Sequence, residues 1–156
     1  MVSAREIADG VVVDEQLCAA EGVYAAGDMA RATHPLFGPI RIEHWAEALN
    51  QGLMAGKTMA GGNERYDRIP YFYSDQFDLS MSYLGYVRDP DQIVVRGTQE
   101  VTKPKFIAWY LKDGKPRAGL IVNDWDAEDP VREMIRKDQP ADPDRLADET
   151  VPLAAL

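Results

Sequence analysis

Three short segments of this 156-residue chain carry the side chains that could act on a small molecule. The first, Val23-Tyr24-Ala25-Ala26-Gly27-Asp28, reads as an apolar strand ending abruptly in Gly-Asp. Such an end delivers a carboxylate to the carboxyl edge of a sheet, where open α/β folds bind ligands. Gly27 allows another group to approach the backbone closely. Asp28 would accept hydrogen bonds from ligand hydroxyls, more strongly than a neutral acceptor does, and a polyol is the natural ligand class. The competing reading is a carboxylate capping a helical turn at residues 29–32, and the strand-Gly-Asp pattern alone leaves the two balanced.

The second segment is Arg41-Ile42-Glu43-His44-Trp45, at the start of a helical pattern. The unpaired N–H groups and positive dipole end of a helix suit an anionic group. Glu43 at such a start contributes about 0.3–1 kcal/mol without any ligand. For His44 the alternative is a helix-surface histidine, and for Trp45 it is core packing, the larger energetic role of an indole. The third segment is Tyr71-Phe72-Tyr73-Ser74-Asp75. Tyr73 offers a flat π surface for stacking. Tyr71 and Phe72 read as core aromatics at a domain junction, while Ser74 and Asp75 read as residues fixing a turn.

The elements that must position these segments follow from the surrounding pattern. Val11 to Val13 reads as a short strand closed by a turn at Asp14-Glu15, and residues 22–26 as a second strand. Residues 31–40, with two prolines and a glycine, read as a loop. From about Ile42 to Ala60 the pattern is helical, with Ala48, Gly52, Ala55, Gly56 and Met59 forming a narrow face for close packing. That packing would offset about 1 kcal/mol for each internal glycine. Gly61-Gly62-Asn63 stops the helix, and residues 63–69 read as a polar linker. From Pro70 the chain reads as antiparallel β: strands at 79–84 and 92–96 about the turn Arg88-Asp89-Pro90-Asp91, then 105–111 and 117–122 about the tight turn Asp113-Gly114. Asp129-Pro130 opens a helix with Val131, Met134 and Ile135 inward. A tail with a short helical piece at 144–147 ends the chain. The domains are thus expected at 1–62, the linker at 63–69 and the second domain at 70–156.

Composition narrows the function classes. Net charge is −9, from 26 acidic and 17 basic residues, which disfavours nucleic acid as a partner because phosphate contacts need clustered Lys and Arg. No apolar run approaches the roughly 18 residues of a membrane span, so the expectation is a soluble, cytoplasmic chain without a membrane partner. Cys18 is the single cysteine; it excludes a C-x-x-C dithiol and reads as a small buried hydrophobe near the strand. No metal site is expected.

Taken together, Val23 to Asp28, Arg41 to Gly52 (Arg-Ile-Glu-His-Trp-Ala-Glu-Ala-Leu-Asn-Gln-Gly) and Pro70 to Gln76 (Pro-Tyr-Phe-Tyr-Ser-Asp-Gln) resemble the ferredoxin-reductase branch of the FAD-dependent pyridine nucleotide oxidoreductases. That branch includes the apoptosis-inducing-factor-like reductases. The resemblance runs from about Gly10 to the end. It implies an α+β fold: a partial FAD-binding α/β segment of two strands and a long helix, followed by a small antiparallel-sheet C-terminal reductase domain with a helix. It further implies that Gly27 and Asp28 hold the ribityl chain of FAD, and that Glu43, His44 and Trp45 line the flavin pyrimidine edge. Tyr73 would cover the ring face where the nicotinamide docks, at a place where relatives commonly have tryptophan. NAD(P)H would be the co-substrate and a ferredoxin-type iron-sulfur carrier the electron acceptor. Because such carriers are usually acidic, as this chain is, docking would need a local basic patch, either Arg96, Lys103 and Lys105 or surface on the rest of the reductase. No Gly-rich dinucleotide fingerprint occurs, so the chain reads as the C-terminal part of a longer reductase or the product of a truncated frame. The alternatives are a non-catalytic interface domain that pairs as a homodimer and cannot bind FAD alone, or a reductase using oxygen, quinone or another small-molecule acceptor.

Overall fold

Three β-branched residues between Gly10 and Asp14 form the first strand, β1 (Val11–Val13), of the computed structural model, which describes residues 9–156. The chain divides into two compact units on either side of the Pro70–Tyr71 bond. The first eight positions of the expected 1–62 domain lie outside the described residues.

In the first unit, Asp14 closes the turn after β1: its carboxylate accepts the N–H groups of Gln16 at 2.8 Å and Cys18 at 3.0 Å. The chain then forms β2 (Cys18–Ala20) and β3 (Val23–Tyr24), an antiparallel pair. The expected strand at 22–26 is therefore only two residues long. After a 3₁₀ turn at Gly27–Met29 come β4 (Ala30–His34) and β5 (Gly38–Arg41), an antiparallel hairpin. The loop expected at 31–40 is a hairpin because Ala30, Ala32 and His34 alternate inward at period two. Their small side chains carry little hydrophobic signal. Pro39 is tolerated because β5 is an edge strand of the order β1-β4-β5, where a missing donor leaves no neighbour unpaired.

Helix α1 (Trp45–Met59) starts three residues later than the pattern places it and ends at Ala60, followed by Gly61 at φ +93°. The N–H groups of Gly61 and Gly62 return to the carbonyls of Thr58 and Lys57 at 2.9 and 3.0 Å, satisfying orphan helix-end acceptors. Its buried face is Glu47, Gln51, Met54, Ala55 and Thr58. This is one residue out of phase with the expected small-residue stripe, of which Gly52, Gly56 and Met59 are exposed. Residues 63–69 are no open linker: Tyr66 and Ile69 are buried, and Tyr66 joins the core of Val13, Leu17, Ala25, Ala30, Ala32, Met54 and Ala55.

The second unit is an antiparallel sheet of β6 (Tyr71–Gln76), β7 (Leu79–Gly85), β8 (Gln92–Thr98), β9 (Lys105–Lys112) and β10 (Lys115–Val122), in the order β6-β7-β10-β9-β8. Asp113 and Gly114, both at positive φ, turn the β9/β10 hairpin as expected. The 88–91 segment instead joins strands that are not neighbours. Asp91 ties it to the hairpin, accepting from the Asp113 N–H at 2.8 Å and Lys112 Nζ at 2.7 Å. Helix α2 (Glu128–Lys137) lays Val131, Met134 and Ile135 on the sheet over Gly119, where a Cβ would come within 2.6 Å of Val131. A short α3 (Pro143–Ala147), capped by Asp142, buries Leu146. No helix among the described residues is long and apolar enough to cross a membrane. The fold is a mixed α+β one with a small antiparallel sheet.

Candidate functional site

In the first unit the 3₁₀ turn carrying Gly27 and Asp28 packs on α1 at Ala48 and Gln51, one turn or more after His44 and Trp45 open that helix. Gly27, at φ +71°, is held on its inner side, since a Cβ would stand 3.1 Å from that of Ala48. The close approach that a glycine at 27 permits is therefore to α1. Gln51, only 2 % exposed, accepts the Gly27 N–H on Oε1 at 2.8 Å. Asp28 is exposed. The helical turn expected at residues 29–32 does not form: residues 30–34 are strand, and the 3₁₀ turn carries no side-chain cap. Its place also differs from the carboxyl edge read from the sequence. The parallel pair is β1 with β4, in register Val11 to Ala30, so Asp28 lies beside its amino-terminal end.

Arg41, which sequence reasoning missed, braces this turn from outside. Its Nη1 donates to the Asp28 carbonyl at 2.9 Å, its Nε reaches Asp9 at 3.2 Å, and it forms an ion pair with Glu43. The two carboxylates, Glu43 foremost, raise the already high pKa of the guanidinium. Glu43 precedes the helix and gives its charge to Arg41, so the first-turn acid of α1 is Glu47. His44 is the N-cap residue, with φ −116° and ψ 141°, and makes no side-chain cap bond. Burial lowers its pKa, against the opposing pull of the Asp28 charge, so the imidazole tends to neutrality beside that carboxylate. Trp45 is 75 % exposed, which overturns core packing as its role. The first turn of α1 points its indole outward, on the same side as exposed Leu49 and Leu53.

Beneath the turn lies a buried polar chain that the sequence reading also missed. Gln51 Nε2 donates to Glu47 Oε1 at 3.3 Å, and the Tyr66 hydroxyl donates to the same oxygen. Burial is the main cause raising the Glu47 pKa, and likewise that of Tyr66. The signal available was the pair Glu47 and Gln51 at i, i+4, which a hydropathy phase assigns to the solvent side. Cys18 is half-buried in β2, its thiol donating to the Ala20 carbonyl at 3.0 Å.

In the second unit Tyr73 is 54 % exposed on the edge strand β6. Tyr71, two positions earlier on the same face, is anchored: its hydroxyl donates to Glu128 at 3.2 Å and Arg132 lies 5.8 Å over its ring. Burial, then the Glu128 charge, pushes the Tyr71 pKa up to about 12. The two rings are 6.3 Å apart, so Tyr71 supports Tyr73 from the side. Ser74 and Asp75 are strand residues, not turn residues: Asp75 accepts from Ser80 across the hairpin at 2.6 Å, and the turn falls on Phe77, at φ 56°. Of the three cations expected to form a basic docking patch, Arg96 is withdrawn, while Lys103 and Lys105 remain on the surface. Arg96 is 9 % exposed and spends its guanidinium on the carbonyls of Asp148 and Val151, both at 2.6 Å, and Lys105 pairs with Asp124 at 3.2 Å.

The donor set of the first unit fits a flavin. An exposed carboxylate acceptor stands near the amino-terminal end of α1, whose dipole is positive, so that hydroxyls and an anionic ring edge respectively would be satisfied there. Comparison with known proteins shows the family. The chain is 29 % identical over 153 residues to putidaredoxin reductase of Pseudomonas putida, covering 97 % of the chain and 36 % of that protein. It is 32 % identical over 151 residues to the ferredoxin–NAD(+) reductase component of the anthranilate 1,2-dioxygenase system of Burkholderia cepacia, covering 95 % and 37 %. It superposes on the reductase in the crystal structure of the covalent putidaredoxin reductase–putidaredoxin complex with a TM-score of 0.83 at 30 % identity, covering 93 % of this chain and 35 % of that one. The chain thus spans little more than a third of the length of these three proteins. A family described as Reductase C-terminal matches residues 71–156, the whole second unit, and the chain belongs to that family.

Proposed function

We propose that this chain forms part of a FAD-dependent NAD(P)H oxidoreductase that passes electrons to a ferredoxin-type iron-sulfur protein. The observation that carries the reading is the juxtaposition, within one unit, of the exposed Asp28 carboxylate with the open start of α1. Asp28 accepts hydrogen bonds from the ribityl hydroxyls, Gly27 and Arg41 hold the turn that presents it, and His44 and Trp45 border the ring edge. Tyr73 stacks on the flavin face that receives the nicotinamide. When bound, FAD supplies two-electron acceptance from NAD(P)H and single-electron delivery to the carrier. Residues 9–70 serve as the flavin-facing segment and 71–156 as the reductase interface domain. The names of the relatives, which include reductases of ferredoxin-type proteins, support the acceptor class.

Titration of the purified chain with FAD, followed by flavin fluorescence and visible absorbance, tests this. Saturable binding is expected, with D28N weakening it about tenfold, as for loss of a charged acceptor. Equal binding by wild type and D28N would refute the role of Asp28. A second reading has its own observation: Trp45, Leu49, Leu53 and Met59 form an exposed apolar stripe on α1. Exposed stripes of this kind mark association surfaces, and a non-catalytic domain that pairs with a second copy is the alternative. A colourless chain that sediments as a dimer and takes up no FAD would favour it.

A further inference from the structure

Asp28 sits in a one-turn 3₁₀ segment with no side-chain cap, so its direction is set by whatever grips that turn. From outside the grip is Arg41; from inside it is Gln51, which reaches across from the middle of α1 to the Gly27 N–H. The Gln51 amide has a single workable orientation. Gly27 presents a donor, so Oε1 must face it, and Nε2 must then find an acceptor. Glu47 Oε1 is that acceptor, and the Tyr66 hydroxyl, arriving from the segment after α1, donates to the same oxygen and fixes the carboxyl in turn. Every member is buried: Glu47, Gln51 and Tyr66 are all no more than 3 % exposed.

Apolar side chains would fill the same face of α1 without the cost of burying a carboxyl and an amide. What they could not do is hold a backbone N–H at a fixed point next to an exposed carboxylate. We infer that Gln51, clamped by Glu47 and Tyr66, is a positioning residue that sets the Asp28 carboxylate for its ligand. The inference rests on the reading of Asp28 as a flavin acceptor, but the placement it describes is measurable without flavin.

His44 supplies the readout. Asp28 is the acidic neighbour whose charge raises the His44 pKa against burial, so the imidazole senses where that carboxylate stands. In NMR titrations of the full chain, D28N is expected to lower the His44 midpoint. Q51L and E47L are expected to reproduce more than half of that shift, because the turn loses its inner hold. E47Q keeps an acceptor oxygen for both donors and is expected to titrate as wild type does. With FAD, Q51L is expected to weaken binding about tenfold and the D28N/Q51L double variant to bind no worse than D28N, the signature of residues acting through one group. A His44 midpoint in Q51L equal to that of wild type overturns the positioning role, even where the melting temperature falls. A wild-type chain that binds no FAD refutes the flavin reading alone, and the His44 titrations still decide the placement.

Discussion

His34 shows how much a single side chain in the first unit depends on its proton. It is 1 % exposed, stacks on Phe37 at 4.6 Å and meets Tyr66 edge-on at 5.5 Å. Its Nδ1 accepts the Leu36 N–H at 3.1 Å, which places the proton on Nε2, donating to the Arg68 carbonyl at 3.1 Å. A second proton would convert Nδ1 from acceptor to donor and break the turn of the β4/β5 hairpin. Burial lowers the pKa, outweighing the Arg68 and Asp67 carbonyls and the Asp67 charge, which raise it. A depressed histidine pKa means that the unfolded chain binds the extra proton more readily. His34 therefore contributes stability that is complete above about pH 6.5, the unfolded value, and is lost as pH falls through the folded one. The raised Glu47 pKa works in the opposite sense: its contribution is complete below the unfolded carboxyl value and declines as pH rises through the folded one. The His34 effect is isolated by comparing wild type with H34Q, which keeps one donor and one acceptor. Between pH 7 and 5, denaturation followed on first-unit NMR signals is expected to show a steeper loss in wild type than in H34Q. Parallel curves would remove His34 as the cause.

At the scale of elements, the informative contact is between β8 and the C-terminal segment. Arg96 projects from the edge strand β8 and donates to the carbonyls of Asp148 and Val151 at 2.6 Å and of Glu149 at 3.5 Å, binding the chain just after α3 to the sheet. Lys137 and Arg145 hold the last carbonyls, those of Leu156 and Ala155, both at 2.9 Å. Charge-assisted hydrogen bonds contribute about 1.5–3 kcal/mol, so R96M is expected to destabilise the second unit by about 2 kcal/mol. Limited proteolysis is expected to cut beyond α3 in R96M well before wild type; equal cleavage rates would show that the tail is held by other contacts. No sequence pattern announces such a clamp, since it joins positions more than fifty residues apart. What was legible is what local chemistry decides: Asp113-Gly114 turning a hairpin, Gly61 stopping α1, and Asp129-Pro130 lying in the first turn of α2, although the helix begins at Glu128 and Asp129 caps nothing. What was not legible depends on neighbours in space. Ala30, Ala32 and His34 became strand because β1 and β5 pair with them, and α1 turned polar Glu47 and Gln51 inward because Gly27 and Tyr66 supply partners.

At the scale of the whole molecule, the division at Pro70 separates two kinds of work. The residues proposed to hold the ribityl chain and ring edge all precede it, and the family match begins immediately after it. The second unit has its own core: Leu84, Ile107, Trp109, Leu111 and Ile121 from the sheet, with Val131, Ile135 and Leu146 from the helices, each at most 2 % exposed. Domains of roughly 55–65 residues already fold alone when they bury a core of this type, and a complete antiparallel sheet covered by α2 leaves no strand awaiting a central partner. Residues 71–156 expressed separately are therefore expected to unfold in one cooperative transition, with the blue-shifted emission of buried Trp109 and a dispersed NMR spectrum. A molten fragment would mean that the core needs more than its own residues. The same fragment lacks Asp28 and α1, so FAD should bind the full chain and leave the fragment's flavin fluorescence unquenched. Flavin binding by the fragment at the full chain's affinity would move the site to Tyr73 and its surroundings, and would end the assignment of cofactor holding to the first unit.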